Sequence, residues 1–370
     1  MSIFTYNANQ HSERMHRRRK TAGFTLVEIM IALAIGIVLI NGMIFVFLGY
    51  KRTAALNEAA VEMQQSARFA FNLLARDIRM AGFQGCTDPQ DSPANVLADT
   101  SPTINPAATA VGGAVISAPG VLTPAGPIGF TLPNNGITPV LGSHVLSVQF
   151  GSPETFQLMP MLSASAPVVL QAQTTGFVTG DLVLVSNCQV ADIFQVSSTQ
   201  QSVLQHDSSV NSGEQNLSAA YGTGGEINRP RAMRFESNVY FLADTGRTNK
   251  SGDAITSLYR QSLPYTNRPL EIIEGVEGFQ LRFAVRENDD ELRYLSPSDL
   301  EQSDAANIVS VQMGLLMQSY DRVTDTDETG THWLAGQLID PDAGNQTSSR
   351  RLRMAFNSTV RVRNLSLIHI

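Results

Sequence analysis

The chain has 370 residues and few side chains that could do chemistry. Glu28 places a carboxylate at the edge of a long apolar stretch, and Cys86 and Cys188 could form a disulfide. A carboxylate in an apolar helix costs free energy unless a cation pairs with it, which predicts a functional role for Glu28. The alternative is a carboxylate at a membrane surface, where the positive end of the helix dipole favours it. Both interpretations depend on the helix that carries Glu28.

The apolar stretch at 29–50 is long enough to cross a membrane. It holds no charged residue, and at about 1.5 Å per residue a helix of this length crosses roughly 30 Å of hydrocarbon. A secretory signal peptide would have a shorter apolar core with its small cleavage-site residue behind it. The positive-inside rule keeps residues 1–23 in the cytoplasm, because the basic residues Arg14, Arg17, Arg18, Arg19 and Lys20 precede the stretch. We expect a single pass through a membrane, with the C-terminal domain exported.

This orientation determines the compartment in which the two cysteines lie. Cys86 and Cys188 both fall on the exported side, where an oxidising periplasm favours a disulfide, with two buried free thiols as the alternative. The bond would tie the end of the helix to the sheet.

Without residues 1–23 the chain carries 21 basic and 32 acidic residues, and no basic patch is interleaved with aromatics. We therefore expect no direct binding of nucleic acid.

The helical pattern continues past the membrane stretch. Apolar residues recur at steps of three and four: Leu56, Ala60, Met63, Ala67, Ala70, Leu74, Ile78 and Ala81. This spacing predicts one helix over 26–81 with an apolar half and an amphipathic half, and Gly82 is placed to end it.

Strand patterns dominate the rest of the chain. Eight segments alternate or run apolar at strand length: 144–150, 181–185, 193–196, 233–242, 255–263, 278–285, 308–317 and 354–362. Residues 86–142 are rich in Pro, Gly, Ala and Ser, which predicts a long excursion with short extended pieces. The polar stretches 286–307 and 321–350 predict exposed loops. The fold class is α+β, with a mainly antiparallel sheet packed on the second half of the helix.

No pattern in the sequence indicates catalysis or a cofactor. There is no C-x-x-C, H-E-x-x-H, G-x-S-x-G or phosphate-binding loop. The run at 325–330 begins like a calcium loop, but Thr329 stands at the fifth position and Gly336 where a bidentate Glu is needed. It is better explained as a solvated acidic loop. We expect no enzyme activity, no metal and no cofactor.

The N-terminal residues resemble the class III signal of type IV prepilins and the related pseudopilins. The resemblance covers the basic leader, Gly23, Phe24, the run to Glu28 and the long apolar helix. It implies that a membrane prepilin peptidase cuts between Gly23 and Phe24 and N-methylates the new terminus. It also implies that Glu28 neutralises the N-terminal ammonium of a neighbouring subunit. The division of the chain is then a cleaved leader at 1–23, a helix at 24–82 and a globular domain at 83–370.

Further segments resemble the PilW-type minor pilins. They lie in order along the chain, at 68–70, 74–83, 85–86, 142–146, 180–188, 273–278 and 359–364. One departure is His144, where the family usually carries an acid. The resemblance implies a pilin fold and a structural subunit that primes the type IV pilus. Its implied partners are the inner membrane, the prepilin peptidase, other minor pilins, the major pilin and a tip adhesin.

Two other functions fit parts of the pattern. A type II secretion pseudopilin shares the leader, Glu28 and the helix, although the surroundings of Cys86 and Cys188 favour the pilin. A membrane-anchored adhesive module or exported enzyme would use the excursion at 86–142 and the acidic loops as its working surface. An enzyme should also show converging polar residues, which the sequence does not indicate.

Overall fold

The computed structural model describes residues 23–87, 92–99, 109–118, 120–123, 137–172, 176–211, 216–222, 229–263, 268–287, 291–327, 329–341 and 350–363. The leader before Gly23, Glu328 of the acidic run and the last residues of the chain lie outside this part. The chain divides into two compact units, 1–54 and 55–370.

The helix α1 runs over Leu26–Met80, close to the predicted bounds. The described residues contain nineteen strands: β1 (Asn95–Val96), β2 (Val111–Ala118), β3 (Val121–Thr123), β4 (Thr138–Pro139), β5 (His144–Gln157), β6 (Val168–Val169), β7 (Leu182–Ser186), β8 (Ala191–Gln195), β9 (Ser198–Gln200), β10 (Val203–Gln205), β11 (Arg231–Thr248), β12 (Ala254–Leu263), β13 (Leu270–Glu274), β14 (Val276–Arg286), β15 (Leu292–Leu295), β16 (Ile308–Gln318), β17 (His332–Leu334), β18 (Gln337–Ile339) and β19 (Arg353–Arg361). All eight predicted strands are confirmed to within a few residues, apart from β5 and β11, which extend further.

The two halves of α1 differ in burial. From Leu26 to Tyr50 every residue except the half-buried Gly36 is exposed. In the second half a stripe is buried, consisting of Met63, Ala67, Ala70, Leu74, Ala75, Asp77 and Ile78. The stripe follows the predicted three- and four-residue spacing, and the helix ends before Gly82, whose φ of 72° suits glycine.

The buried stripe of α1 packs against two larger sheets. Ten described strands form the first sheet, whose main path is β1-β8-β7-β11-β5-β2-β3, with β4 and β12 also paired to β11 and β13 paired to β12. The second sheet has the order β15-β14-β16-β19. Within the described ladders the pairing is antiparallel except between β1 and β8. The fold is therefore α+β, as expected.

One hydrophobic core joins α1 to both sheets. Leu74 and Ile78 of the helix belong to the same buried cluster as Leu146 of the first sheet and Phe279 and Met313 of the second. Burying each large side chain contributes about 1.5–3 kcal/mol, so the stripe anchors the second half of the helix firmly.

The segments predicted as irregular are more ordered than their composition indicates. The excursion at 86–142 contains β2, which is mostly buried in the first sheet. The polar stretches predicted as exposed loops contain β15 and the β17–β18 hairpin, with Leu295, Leu300 and Leu334 buried. The prediction failed here because single apolar anchors spaced among polar residues carry no periodic signal.

Candidate functional site

The described N-terminus is a capped helix start. The Thr25 N–H donates to Glu28 Oε2 over 3.3 Å, and the Glu28 N–H donates to Thr25 Oγ1 over 3.3 Å. This reciprocal pair is a capping box, which satisfies two of the free donors at a helix N-terminus. Phe24 lies just before it and is 82% exposed. In the single chain the Glu28 carboxylate is thus exposed and held by its own helix.

The apolar half of α1 contains a polar side chain that bonds to the helix itself. The Asn41 side-chain amide donates one hydrogen bond to the Ile37 carbonyl over 2.8 Å. At the far end Lys51 Nζ lies 5.1 Å from the centre of the Phe47 ring. A cation at this end suits the membrane surface, where long side chains reach the headgroups. The helix is long and apolar enough to span a membrane.

Cys86 and Cys188 form the predicted disulfide. Their Cα atoms are 4.6 Å apart, and the bond links positions 102 residues apart in the chain. It joins the segment after α1 to the turn after β7, at the protein surface. Beneath it the hydroxyls of Thr87 and Ser186 share a buried hydrogen bond of 3.1 Å. The bond therefore ties the end of the helix to the first sheet, as expected.

Asp77 is a buried charged residue for which the sequence predicted no separate role. It is fully buried on the apolar stripe of α1, where Asn238 donates to its carboxylate over 2.8 Å and Tyr240 over 2.6 Å. Burial and the Asp77 charge raise the pKa of Tyr240, which keeps this phenol a donor. Burial, with a smaller effect of Asp77, raises the pKa of Glu236 nearby. The sequence feature that could have indicated this role is a carboxylate at a position of the apolar stripe of α1.

His144 connects the two sheets. It is buried at the start of β5, and its Nδ1 accepts a hydrogen bond of 2.8 Å from the Leu281 N–H on β14. Burial lowers its pKa to about 4, so the ring is neutral at physiological pH. An acid at this position would also offer an acceptor oxygen to Leu281. The contact between β5 and β14 therefore uses an acceptor at position 144, which histidine and an acid can both supply.

A third polar anchor holds a surface segment on β8. The carboxylate of the buried Asp192 accepts hydrogen bonds from Asn95, from the backbone and hydroxyl of Ser218 and from Tyr221. Burial and the Asp192 charge raise the pKa of Tyr221. A carboxylate with this many donors is stable without a cation. The arrangement is structural, because its donors fill the carboxylate and leave no room for a ligand.

The acidic run at 325–330 is described by the structure except for Glu328. Asp325 and Asp327 are both exposed. Within the part of the chain that the structure describes, no group of three or more His, Cys, Asp or Glu side chains is arranged to hold a metal.

Two family models match the chain. The model of the type IV pilus-assembly protein W matches residues 239–364, which hold part of β11 and all of β12 to β19. The model of the prokaryotic N-terminal methylation motif matches residues 18–40, around the capped helix start. No curated protein matches the chain. These two matches are consistent with a PilW-type type IV pilin that has a class III leader, and the exposed apolar helix and the sheet domain with its disulfide agree with them.

Proposed function

We propose that this type IV pilin is a minor pilin, a low-abundance structural subunit that helps to prime assembly of the pilus. The observation that carries the proposal is the PilW match over 239–364, which covers the whole second sheet. The helix supports it, because an apolar half with no burial inside the subunit needs a membrane or other helices around it. The chain has a structural and not a catalytic role.

The N-terminal motif is the site of processing and assembly in this proposal. The peptidase cuts between Gly23 and Phe24 and methylates Phe24, and the Glu28 carboxylate then pairs with the N-terminal ammonium of a neighbouring subunit. Glu28 is exposed, and among the described residues its carboxylate bonds to Thr25 of the same chain, so it is accessible to such a partner. A charge that enters an apolar helix bundle needs a counter-ion. The ion pair therefore fixes the register between neighbouring helices.

The proposed route and partners follow. The protein enters the inner membrane with its N-terminus in the cytoplasm and its domain in the periplasm, and then joins the pilus at the cell surface. Its partners there are other minor pilins, the major pilin and a tip adhesin. This placement is supported by the basic leader and by the disulfide, which forms in an oxidising compartment.

Deletion of the gene in the host tests the proposal. Surface pili should be lost, and the wild-type gene should restore them. Glu28→Ala should fail to restore pili while its mature mass shows normal processing, because only the pairing carboxylate is removed. The matched control is Glu58→Ala, an exposed carboxylate further along α1, which should restore pili. Normal pili together with a defect in type II secretion would instead identify a pseudopilin.

A further inference from the structure

The second sheet ends in a long strand with one open side. Among the terminal strands of the described sheets, β1, β3, β15 and β13 have two, three, four and five residues, whereas β19 has nine. β19 pairs with β16 on one side, and no described strand pairs with the other. Natural sheets usually keep edge strands short or interrupt them, because unpaired backbone groups recruit other strands.

The register shows which backbone groups face this open side. The Ser319 N–H donates to the Leu352 carbonyl over 2.8 Å, and the Val362 N–H donates to the Val309 carbonyl over 3.0 Å. Bonded pairs alternate along an antiparallel ladder, so residues 354, 356, 358 and 360 bond to β16. The N–H and C=O groups of the intervening residues then point away from β16. These residues are Ala355, Asn357, Thr359 and Arg361.

The side chains along this edge are suited to a further strand. Met354 and Phe356 are half-buried on the core side, so a neighbouring strand would cover their remaining apolar surface. On the other side Asn357 and Thr359 are exposed and uncharged. The strand has no proline, and its charged residues are confined to its two ends. The usual protections of an edge strand are therefore missing from its middle.

A rigid hairpin places an aromatic side chain beside the same strand. The Asn357 amide donates to the Trp333 carbonyl over 2.9 Å, and the Ala335 N–H donates to the Asn357 side-chain oxygen over 2.7 Å. These bonds fix the β17–β18 hairpin on β19, with the Trp333 side chain 63% exposed. Tryptophan is enriched among the residues that carry binding energy at interfaces.

Charge decides between a second copy and a different partner. Two copies of β19 paired antiparallel over all nine residues would set Arg361 of each copy opposite Arg353 of the other, so the strand of a second copy offers Arg361 no carboxylate. Glu277 already neutralises Arg353 through two hydrogen bonds, of 2.8 and 2.7 Å. Arg361 and Arg363 are exposed at the C-terminal end of the strand. A partner with carboxylates at this end would be complementary.

We propose that the open edge of β19 binds an extended segment of another protein by strand addition. The segment alternates apolar and small polar residues, so that one set covers Met354 and Phe356, and it carries carboxylates beside Arg361 and Arg363. Main-chain hydrogen bonds supply much of the affinity in this mode of recognition, and alternate side chains supply the specificity. The proposal concerns a surface distinct from the N-terminal motif and does not depend on the pilus role.

Amide hydrogen exchange on the full-length protein in detergent micelles tests the edge directly. The probe is a synthetic peptide of alternating threonine and valine in which glutamate replaces the first two threonines, so that both carboxylates lie on the face of Arg361 and Arg363 and the valines on the face of Met354 and Phe356. The amides of Ala355, Asn357, Thr359 and Arg361 should exchange fast in the free protein and slow at least tenfold with the peptide. Residues 354, 356, 358 and 360 should be protected in both states. Slow exchange of the first set without peptide, or no change with saturating peptide, would overturn the proposal.

Matched variants distinguish strand addition from nonspecific binding of the peptide. Thr359→Pro removes an outward N–H and should weaken peptide binding at least tenfold, whereas Thr359→Ala removes the same hydroxyl and should bind like the wild type. Trp333 is the single tryptophan of the chain, so its fluorescence reports binding. A peptide with proline at alternate positions should not bind. Equal affinity of the wild-type protein for the proline-containing peptide and for the valine–threonine probe would contradict the proposal. This comparison holds even if Thr359→Pro fails to fold.

Discussion

At the scale of single residues, Asp77 and His144 fix how the layers of the domain dock. Asp77 joins α1 to β11 through Asn238 and Tyr240, and His144 joins β5 to β14 through the Leu281 N–H. A buried polar group costs free energy unless it is hydrogen-bonded, so a shifted layer would leave these groups unpaired. Each contact therefore selects one arrangement of surfaces that are otherwise apolar.

His144 should make the domain less stable in mild acid. Its folded pKa of about 4 is below the ordinary value of 6.5, so between these values the unfolded state binds a proton that the folded state excludes. The contribution of the neutral His144 to the free energy of unfolding is fully present above pH 6.5. It falls by about 3 kcal/mol as the pH drops to 4. His144→Asn keeps an acceptor near Leu281 and should lack this part of the loss. Urea unfolding at pH 7 and pH 4.5 measures the difference.

The control for this prediction is His332→Asn, on the β17–β18 hairpin. It removes a half-buried histidine and leaves His144 in place, so the acid-dependent loss should match the wild type. If His144→Asn and the wild type lose equal stability between the two pH values, the buried histidine is not the cause.

Asp77→Ala should destabilise the domain by about 3 kcal/mol, because it leaves the Asn238 amide and the Tyr240 hydroxyl buried without their acceptor. Tyr240→Phe removes one of these two donors. Added to Asp77→Ala, it should therefore cost less than it does in the wild type. Urea unfolding of the four proteins gives the coupling free energy, and strictly additive losses would argue against a direct interaction.

At the scale of elements, α1 is one helix with two surroundings. Its first half is exposed throughout, apart from the half-buried Gly36, and its second half buries a stripe against both sheets. The stripe combines small residues such as Ala67 and Ala70 with larger ones such as Leu74. The disulfide then holds the chain just after the helix end to the turn after β7.

Loss of the disulfide should lower stability without changing the fold. Cys86 and Cys188 are 102 residues apart, and closing a loop of this length stabilises by about 4–5 kcal/mol in the chain-entropy model. The double variant Cys86→Ser with Cys188→Ser should unfold at lower urea than the oxidised wild type. It should also be insensitive to reductant, which serves as the internal control. Equal midpoints for oxidised and reduced wild type would refute a stabilising role.

At the scale of the whole molecule, the proposed processing sets the size and the terminus of the mature chain. Gly23→Lys should leave the leader attached, because a long charged side chain replaces the small residue at the proposed cleavage point. Gly23→Ala is the matched small substitution and should still be cut. The intact mass of each protein, purified from host membranes, distinguishes the two. A mature mass for Gly23→Lys would contradict the assignment of the cleavage site.

Much of the architecture was predictable because its signals are local. The charge-free stretch before Lys51, the apolar spacing around Leu74 and the alternation along β14 and β16 each depend on neighbours a few residues away. The β17–β18 hairpin was not predicted, because its short apolar segment around Leu334 lies within a longer polar stretch. Its position depends on Asn357, a residue of another strand.

The sequence by itself determined the span, the N-terminal motif, the two cysteines and the eight principal strands. Only the tertiary structure decided that Asp77 meets Tyr240 across 163 residues and that His144 meets Leu281 across 137. It also decided that β19 is an edge strand with an open side. The physical reason is that helix and strand periods arise from local side-chain spacing. Sheet order and buried polar pairs depend instead on which distant surfaces exclude water together.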